Sequence, residues 1–158
     1  MLEALHYLHK KRIVHRDVKP DNILVKQAPD PGNKSKQQQQ QQQQLVIKLC
    51  DFGFAFQLPR GADVTCCPAR GAPMFLAPET ILDNPIGCPV DIWSGGVLLH
   101  LLVAGYPPFW HDNSEKMLLA AARGQFSLSS PGWNKISNSC KDLVKSIDRK
   151  STRLNSSH

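Results

Sequence analysis

The sequence predicts a mainly α-helical fold with small β-hairpins, a partial α+β arrangement. Apolar residues at helical spacing recur along the chain, and the longest apolar stretch, Val97 to Ala104, sits between Asp91 and Pro107-Pro108. Two short β-branched-rich runs, Ile23-Leu24-Val25 and Leu45-Val46-Ile47-Lys48-Leu49, flank a polar segment as the arms of a hairpin would. With 158 residues, 41% of them apolar, the chain is long enough for one soluble domain with a real core.

The elements follow in order. Leu2, Leu5 and Leu8 with polar residues between them give a helix through about Lys11, after which Ile13-Val14 begins an extended segment. The hairpin arms come next, joined by a connection with Pro29, Pro31, Gly32 and eight glutamines, Gln37 to Gln44. A polar tract of this kind cannot bury enough apolar surface to order itself, so residues 27–44 are expected to be a disordered insertion, read either as a tolerated repeat expansion or as a partner-binding tract. An irregular stretch is expected to about Pro89, then an apolar buried helix to about Ala104. An amphipathic helix near Ser114 to Arg123 and another from about Ser139 complete the reading.

Charge and cysteine usage narrow the class. The final eleven residues, DRKSTRLNSSH from Asp148 to His158, match the translation of a widely used sequencing adapter and are set aside as a library artefact. They carry three basic residues and one acidic, so the overall +6 becomes +4 over residues 1–147. That mild surplus has no dense basic cluster, which argues against a nucleic-acid partner. No apolar run reaches the roughly 20 residues of a membrane span, and no signal segment follows Met1. The five cysteines form no CxxC pair and no zinc-type array, which points to a reduced, cytoplasmic protein. Cys66 and Cys67 read either as two ordinary thiols or as a redox pair. His6 and His9 on the first helix read as surface polarity, because nothing nearby completes a metal site.

The densest chemistry lies in HRDVKPDN, residues 15–22. Phosphoryl transfer needs a carboxylate to take the proton of the attacking hydroxyl, a cation against the transferred group, and hard oxygen ligands for magnesium. Asp17 is the candidate base and Lys19 the candidate cation, two residues apart and so on one side of an extended backbone. Asn22 offers an amide oxygen, and the hairpin returns Asp51 of Asp51-Phe52-Gly53 to the same place, so Asn22 and Asp51 are the candidate magnesium ligands. The other reading of these four residues is a solvated loop and a turn.

These motifs resemble those of the eukaryotic protein kinases, whose catalytic loop reads H-R-D-x-K-x-x-N and whose magnesium motif reads D-F-G. HRDVKPDN, DFG, Ala77-Pro78-Glu79 and the Asp91-Ile92-Trp93-Ser94-Gly95-Gly96 segment occur in the family's order and span most of residues 1–147. The resemblance implies a protein-kinase-like large lobe that uses ATP and Mg2+. It makes His15 and Arg16 supports, Asp91 an anchor for the catalytic-loop backbone, Phe52 a residue packed beneath the site, and Leu24 part of the adenine-pocket floor. Lys19 would contact nucleotide as well as act in catalysis. Finer similarity, in Asp51–Leu58 and in Leu101–His111, is to the calcium/calmodulin-dependent Ser/Thr kinase group, of phosphorylase kinase gamma type, with calmodulin-dependent kinase type II and CASK-type kinases close. That implies a protein substrate with basic residues near the Ser/Thr, and calmodulin or regulatory subunits acting through segments outside these residues. Asp21 stands where the group pairs a glutamate with a substrate arginine, and it reads equally as a turn residue.

Several departures from the family pattern carry expectations. Gly71-Ala72-Pro73 stands where the family has G-T-P, so the hydroxyl that bridges the catalytic aspartate and lysine is missing, and Ala72 should loosen their alignment. The Gly-rich loop, the strand lysine and its glutamate belong to a small lobe that precedes the first helix in the family, which makes residues 1–147 a partial domain and Met1 an internal methionine. The arginine that pairs with the A-P-E glutamate is expected beyond this chain, leaving Glu79 without it. Thr65 is the one hydroxyl between Asp51 and Ala77 and a candidate phosphosite facing Arg16, with Asp63 able to supply some charge instead. Two functions remain: an ATP-dependent Ser/Thr kinase of which this fragment would be inactive alone, or a catalytically impaired pseudokinase acting as a nucleotide-binding or scaffolding module.

Overall fold

A computed structural model describes residues 1–27, 45–83, 85–124, 126–128 and 131–152. Helix α1, Leu2–Lys10, buries Leu5 and Leu8 and carries Glu3 in its first turn with His9 and Lys10 in its last, the charge order a helix dipole favours. It stops where Arg12 turns to φ 61°, and the Arg12 guanidinium reaches the Pro59 and Ala62 carbonyls. Strand β1, Ile13–Val14, then pairs antiparallel with β4, Phe56–Gln57.

The expected hairpin is present. Strand β2, Ile23–Gln27, runs antiparallel to β3, Leu45–Leu49, in a register that sets Ile23 opposite Leu49 and Gln27 opposite Leu45. Gln27, given to the insertion by the sequence reading, is therefore the last strand residue, and the remainder of that insertion lies outside the described residues.

The stretch read as irregular up to Pro89 contains more order than its composition shows. It holds β4, the pair β5 Val64–Thr65 with β6 Ile86–Gly87, and one helical turn, α2, Pro78–Ile81. Two-residue strands and a single turn have no periodicity to read.

Helix α3, Pro89–Ala104, is the centre of the fold and is buried along most of its length, including its polar Asp91, Ser94 and His100. It ends at Gly105, which takes φ 81° and returns its N–H to the Leu101 carbonyl at 2.9 Å. At Gly95 a side chain would come within 3.3 Å of Met1, so the bare backbone there lets α1 lie close against α3. Helix α4, Ser114–Arg123, starts at Asn113, whose side chain accepts the Lys116 N–H, and it buries Met117 and Ala121 on one face. Helix α5, Asn138–Thr152, packs on α3 and runs five residues into the segment set aside from the sequence. The core joins Val14, Leu58, Phe75, Ile86, Trp93, Leu98 and Phe109, with Trp93 and Phe109 stacked 5.5 Å apart. No helix among the described residues is long and apolar enough to cross a membrane.

Candidate active site

Everything at the site hangs from one buried carboxylate. Asp91, fully buried in the first turn of α3, accepts the His15 N–H at 2.9 Å on one oxygen and the Arg16 N–H at 2.8 Å on the other. Both donors are backbone, so α3 fixes the path of the catalytic loop, as the resemblance implied. Arg16 itself stands at φ 67°, a left-handed conformation for a residue with a side chain. It is held there by Asp91 on one side and by Gly71 on the other, where an added Cβ would meet the Arg16 carbonyl at 2.5 Å.

His9 completes the set and corrects a sequence expectation. Read as surface polarity, it instead meets the Asp91 carboxylate through Nε2 at 2.9 Å. It follows Leu5 by four residues and Leu8 by one, at the edge of the buried stripe of α1, and that position was the available signal.

From this support the loop presents its reactive groups. The Lys19 ammonium lies 2.8 Å from Asp17 Oδ2, and Asn22 Nδ2 donates to the same oxygen at 2.9 Å and to the Asp17 carbonyl at 2.8 Å. The Ala72 N–H donates to Asp17 Oδ1 at 3.2 Å. The Ala72 backbone thus holds one carboxylate oxygen while Lys19 and Asn22 hold the other, a contact separate from the side-chain hydroxyl that Ala72 lacks. Burial pushes the Asp17 carboxyl up, but the Lys19 ammonium, the Asn22 amide and the Ala72 N–H together outweigh it and keep the group below the ordinary carboxylate value. Lys19 is raised above its ordinary value, chiefly by its hydrogen bond to Asp17.

Asp51 is brought to this group through its neighbour. The Cys50 N–H donates to the Asn22 carbonyl at 2.9 Å, and the Cys50 carbonyl meets His15 Nε2 at 3.1 Å. Asp51 is exposed, at φ 58°, with Oδ1 accepting the Gly53 N–H at 3.1 Å and its other oxygen available. Asn22 likewise spends its side-chain nitrogen on Asp17, and among the described residues its side-chain Oδ1 carries no hydrogen bond from the loop. Two hard oxygens on adjoining backbone suit magnesium, which takes most of its remaining ligands from water and nucleotide phosphates.

The outer residues fit less closely. Leu24 lies on the hairpin opposite Lys48 and is 54% exposed, apart from the hydrogen-bonded group around Asp17. Phe52, expected beneath the site, sets its ring edge-on to His15 at 4.9 Å yet stays 48% exposed. Glu79, expected to lack its partner, is buried in α2 and engaged within the chain. Beside the loop an open groove of about 560 Å³ runs between Lys19, Asp21 and Asn22 and the Trp110, Asp112 and Met117 side. Among the described residues no cluster of three or more His, Cys, Asp or Glu side chains could cage a metal by itself.

A carboxylate clamped in its ionised form beside an ammonium, with two oxygen donors at hand, in a helical domain hung from one buried aspartate, defines the large lobe of a protein kinase. The protein kinase domain family model matches residues 1–157, and the chain belongs to that family. Among curated relatives it is 36% identical over 147 residues to calcium/calmodulin-dependent protein kinase type 1 of Macrobrachium nipponense. It is 34% identical over the same length to the delta subunit of calcium/calmodulin-dependent protein kinase type II of Oryctolagus cuniculus. Both alignments cover 93% of this chain but only 38% and 25% of the relatives.

Proposed function

We propose that the protein containing this chain is an ATP-dependent, cytoplasmic protein serine/threonine kinase. The observation that carries the reading is Asp17, held ionised by Lys19, Asn22 and the Ala72 N–H with its carboxylate aimed by contacts on both oxygens. Asp17 orients a Ser or Thr hydroxyl and takes its proton as the oxygen attacks phosphorus. Lys19 sets a positive charge against the transferred group, where negative charge develops. Asn22 and Asp51 would hold Mg2+, which when bound neutralises the phosphates, and Leu24 would touch the adenine. Exposed Asp21 at the mouth of the groove favours a substrate with basic residues near the Ser/Thr, and the names of the relatives favour calmodulin as a regulator.

The pseudokinase alternative rests on Ala72, and the presence of Asp17, Lys19, Asn22 and Asp51 together weighs against it. The isolated 158 residues, which contain no Gly-rich phosphate loop or strand lysine, are expected to transfer no phosphate. Asp148–His158 we take to be translated adapter, to be replaced by native sequence in a full-length transcript. With the full-length protein, transfer of labelled phosphate from ATP to a basic Ser/Thr peptide should fall by roughly 10²–10⁴-fold in Asp17→Asn. Undiminished transfer by that variant would remove the proposed base and the reading with it.

A further inference from the structure

Among the described residues no carboxylate forms an ion pair with Arg16. Its Nε donates to the Phe54 carbonyl at 2.6 Å, and its Nη1 to the Pro68 carbonyl at 3.3 Å and to the Cys67 sulfur at 3.2 Å. The Phe56 ring lies 4.8 Å from the guanidinium carbon. The cation is therefore met by carbonyl dipoles, a thiol and a π face, all formally neutral, so its net charge is left uncompensated by these contacts. Cys67 is the member of this set whose charge can change by chemistry. It is partly buried and packed against the core, while its neighbour Cys66 is exposed and, among the described residues, makes no hydrogen bond to the guanidinium.

We propose that Cys67 is an oxidative modification site, converted by hydrogen peroxide through sulfenic acid to a sulfinate that Arg16 binds. In the first step the Cys67 sulfur attacks one peroxide oxygen. An S–O bond forms as the O–O bond breaks, sulfur gives up two electrons, and the departing oxygen leaves as water with the thiol proton. A second peroxide adds a second oxygen in the same way and releases a second water, and the sulfinic acid loses its proton to solvent. The bond from the cationic guanidinium to a neutral sulfur becomes an N–H···O bond between opposite charges, joining the segment after β5 to the catalytic loop. Electropositive, partly exposed surroundings are where cysteine oxidation concentrates, and Arg16 supplies them for Cys67 alone of the two adjacent thiols. The inference stands whether or not the parent protein transfers phosphate.

The two cysteines share one sequence context, so each is the other's control. The full chain, reduced and then exposed to hydrogen peroxide, is digested, and oxygen addition at Cys66 and Cys67 is read by tandem mass spectrometry with and without urea. In native buffer Cys67 should gain oxygen about tenfold faster than the more exposed Cys66, the ratio one charge-assisted contact supplies, and in urea the two should react alike. Arg16→Gln should abolish the preference. Equal or Cys66-led oxidation in native buffer, a preference that survives urea, or a Cys66–Cys67 disulfide as the main product would overturn the proposal. Should Arg16→Gln fail to fold, the native and urea rates of the unaltered chain decide it.

Discussion

Residues 13–22 and the hairpin that follows them invert each other. The catalytic loop buries polar groups, with His15, Asp17 and Asn22 at 0%, 5% and 5% exposure, while the hairpin leaves Leu24, Val25, Leu45, Val46 and Ile47 between 37% and 61% exposed. Both break the habit of apolar inside and polar outside, and for different reasons. The loop can bury polar atoms because each has a partner: Asp91 serves two backbone N–H groups and His9, and Asp17 serves Lys19, Asn22 and Ala72. The hairpin exposes apolar residues because the described chain lays nothing over them. Buried polar groups locate what the fold must hold still.

The contrast can be broken most sharply at Asp91. Asp91→Ala strands two backbone N–H groups and one imidazole in the interior, and a loss of about 3–5 kcal/mol in thermal or urea unfolding is expected. A loss below 1 kcal/mol would mean that the loop holds its own shape. His9→Ala removes one contact to the same carboxylate and should cost about 1–2 kcal/mol, with the two losses failing to add in a double-mutant cycle.

His100 tests the rule from the other side. It is buried on α3 against Tyr106, Phe126 and Trp133, with Nδ1 at 2.9 Å from the Tyr106 carbonyl and no hydrogen-bond partner for Nε2 among the described residues. Burial holds its pKa below 6.5, so below that value the unfolded chain binds the proton that the folded chain refuses. Stability should fall as pH drops below 6.5, and His100→Phe should flatten that part of the profile in unfolding experiments from pH 7 to 5. The smallest effect belongs to the hairpin: Val25→Thr, at a position 61% exposed, should change stability by no more than about 0.5 kcal/mol while lowering self-association seen by light scattering.

Much of this was legible in the sequence, unevenly. The helices at 89–104 and 114–123 were readable because a long apolar stretch before Pro107-Pro108 and an amphipathic repeat each declare a helix. Ile13-Val14 was legible as extended, but its pairing and the other two-residue strands were not, since a partnership such as Val14 with Phe56 is set by tertiary approach and leaves no local pattern. At the site, Asp17, Lys19 and Asn22 were visible because their chemistry lies in side chains at fixed spacing. The Ala72 contribution was not, because a backbone N–H has no letter of its own, and Ala72 read only as a missing hydroxyl. His9 was misjudged because its partner lies 82 residues away.

Those long separations also set an order of events. The bonds that shape residues 15 and 16 come from a residue 76 and 75 positions later in the chain. Contacts that distant must meet their loop-closure cost before they return any stability, so they form slowly and late. The HRD segment is made before α3 and waits, without its working geometry, until α3 has been made and docked. The site therefore takes its geometry only after α3 has docked, and until then the loop has a sequence but no shape.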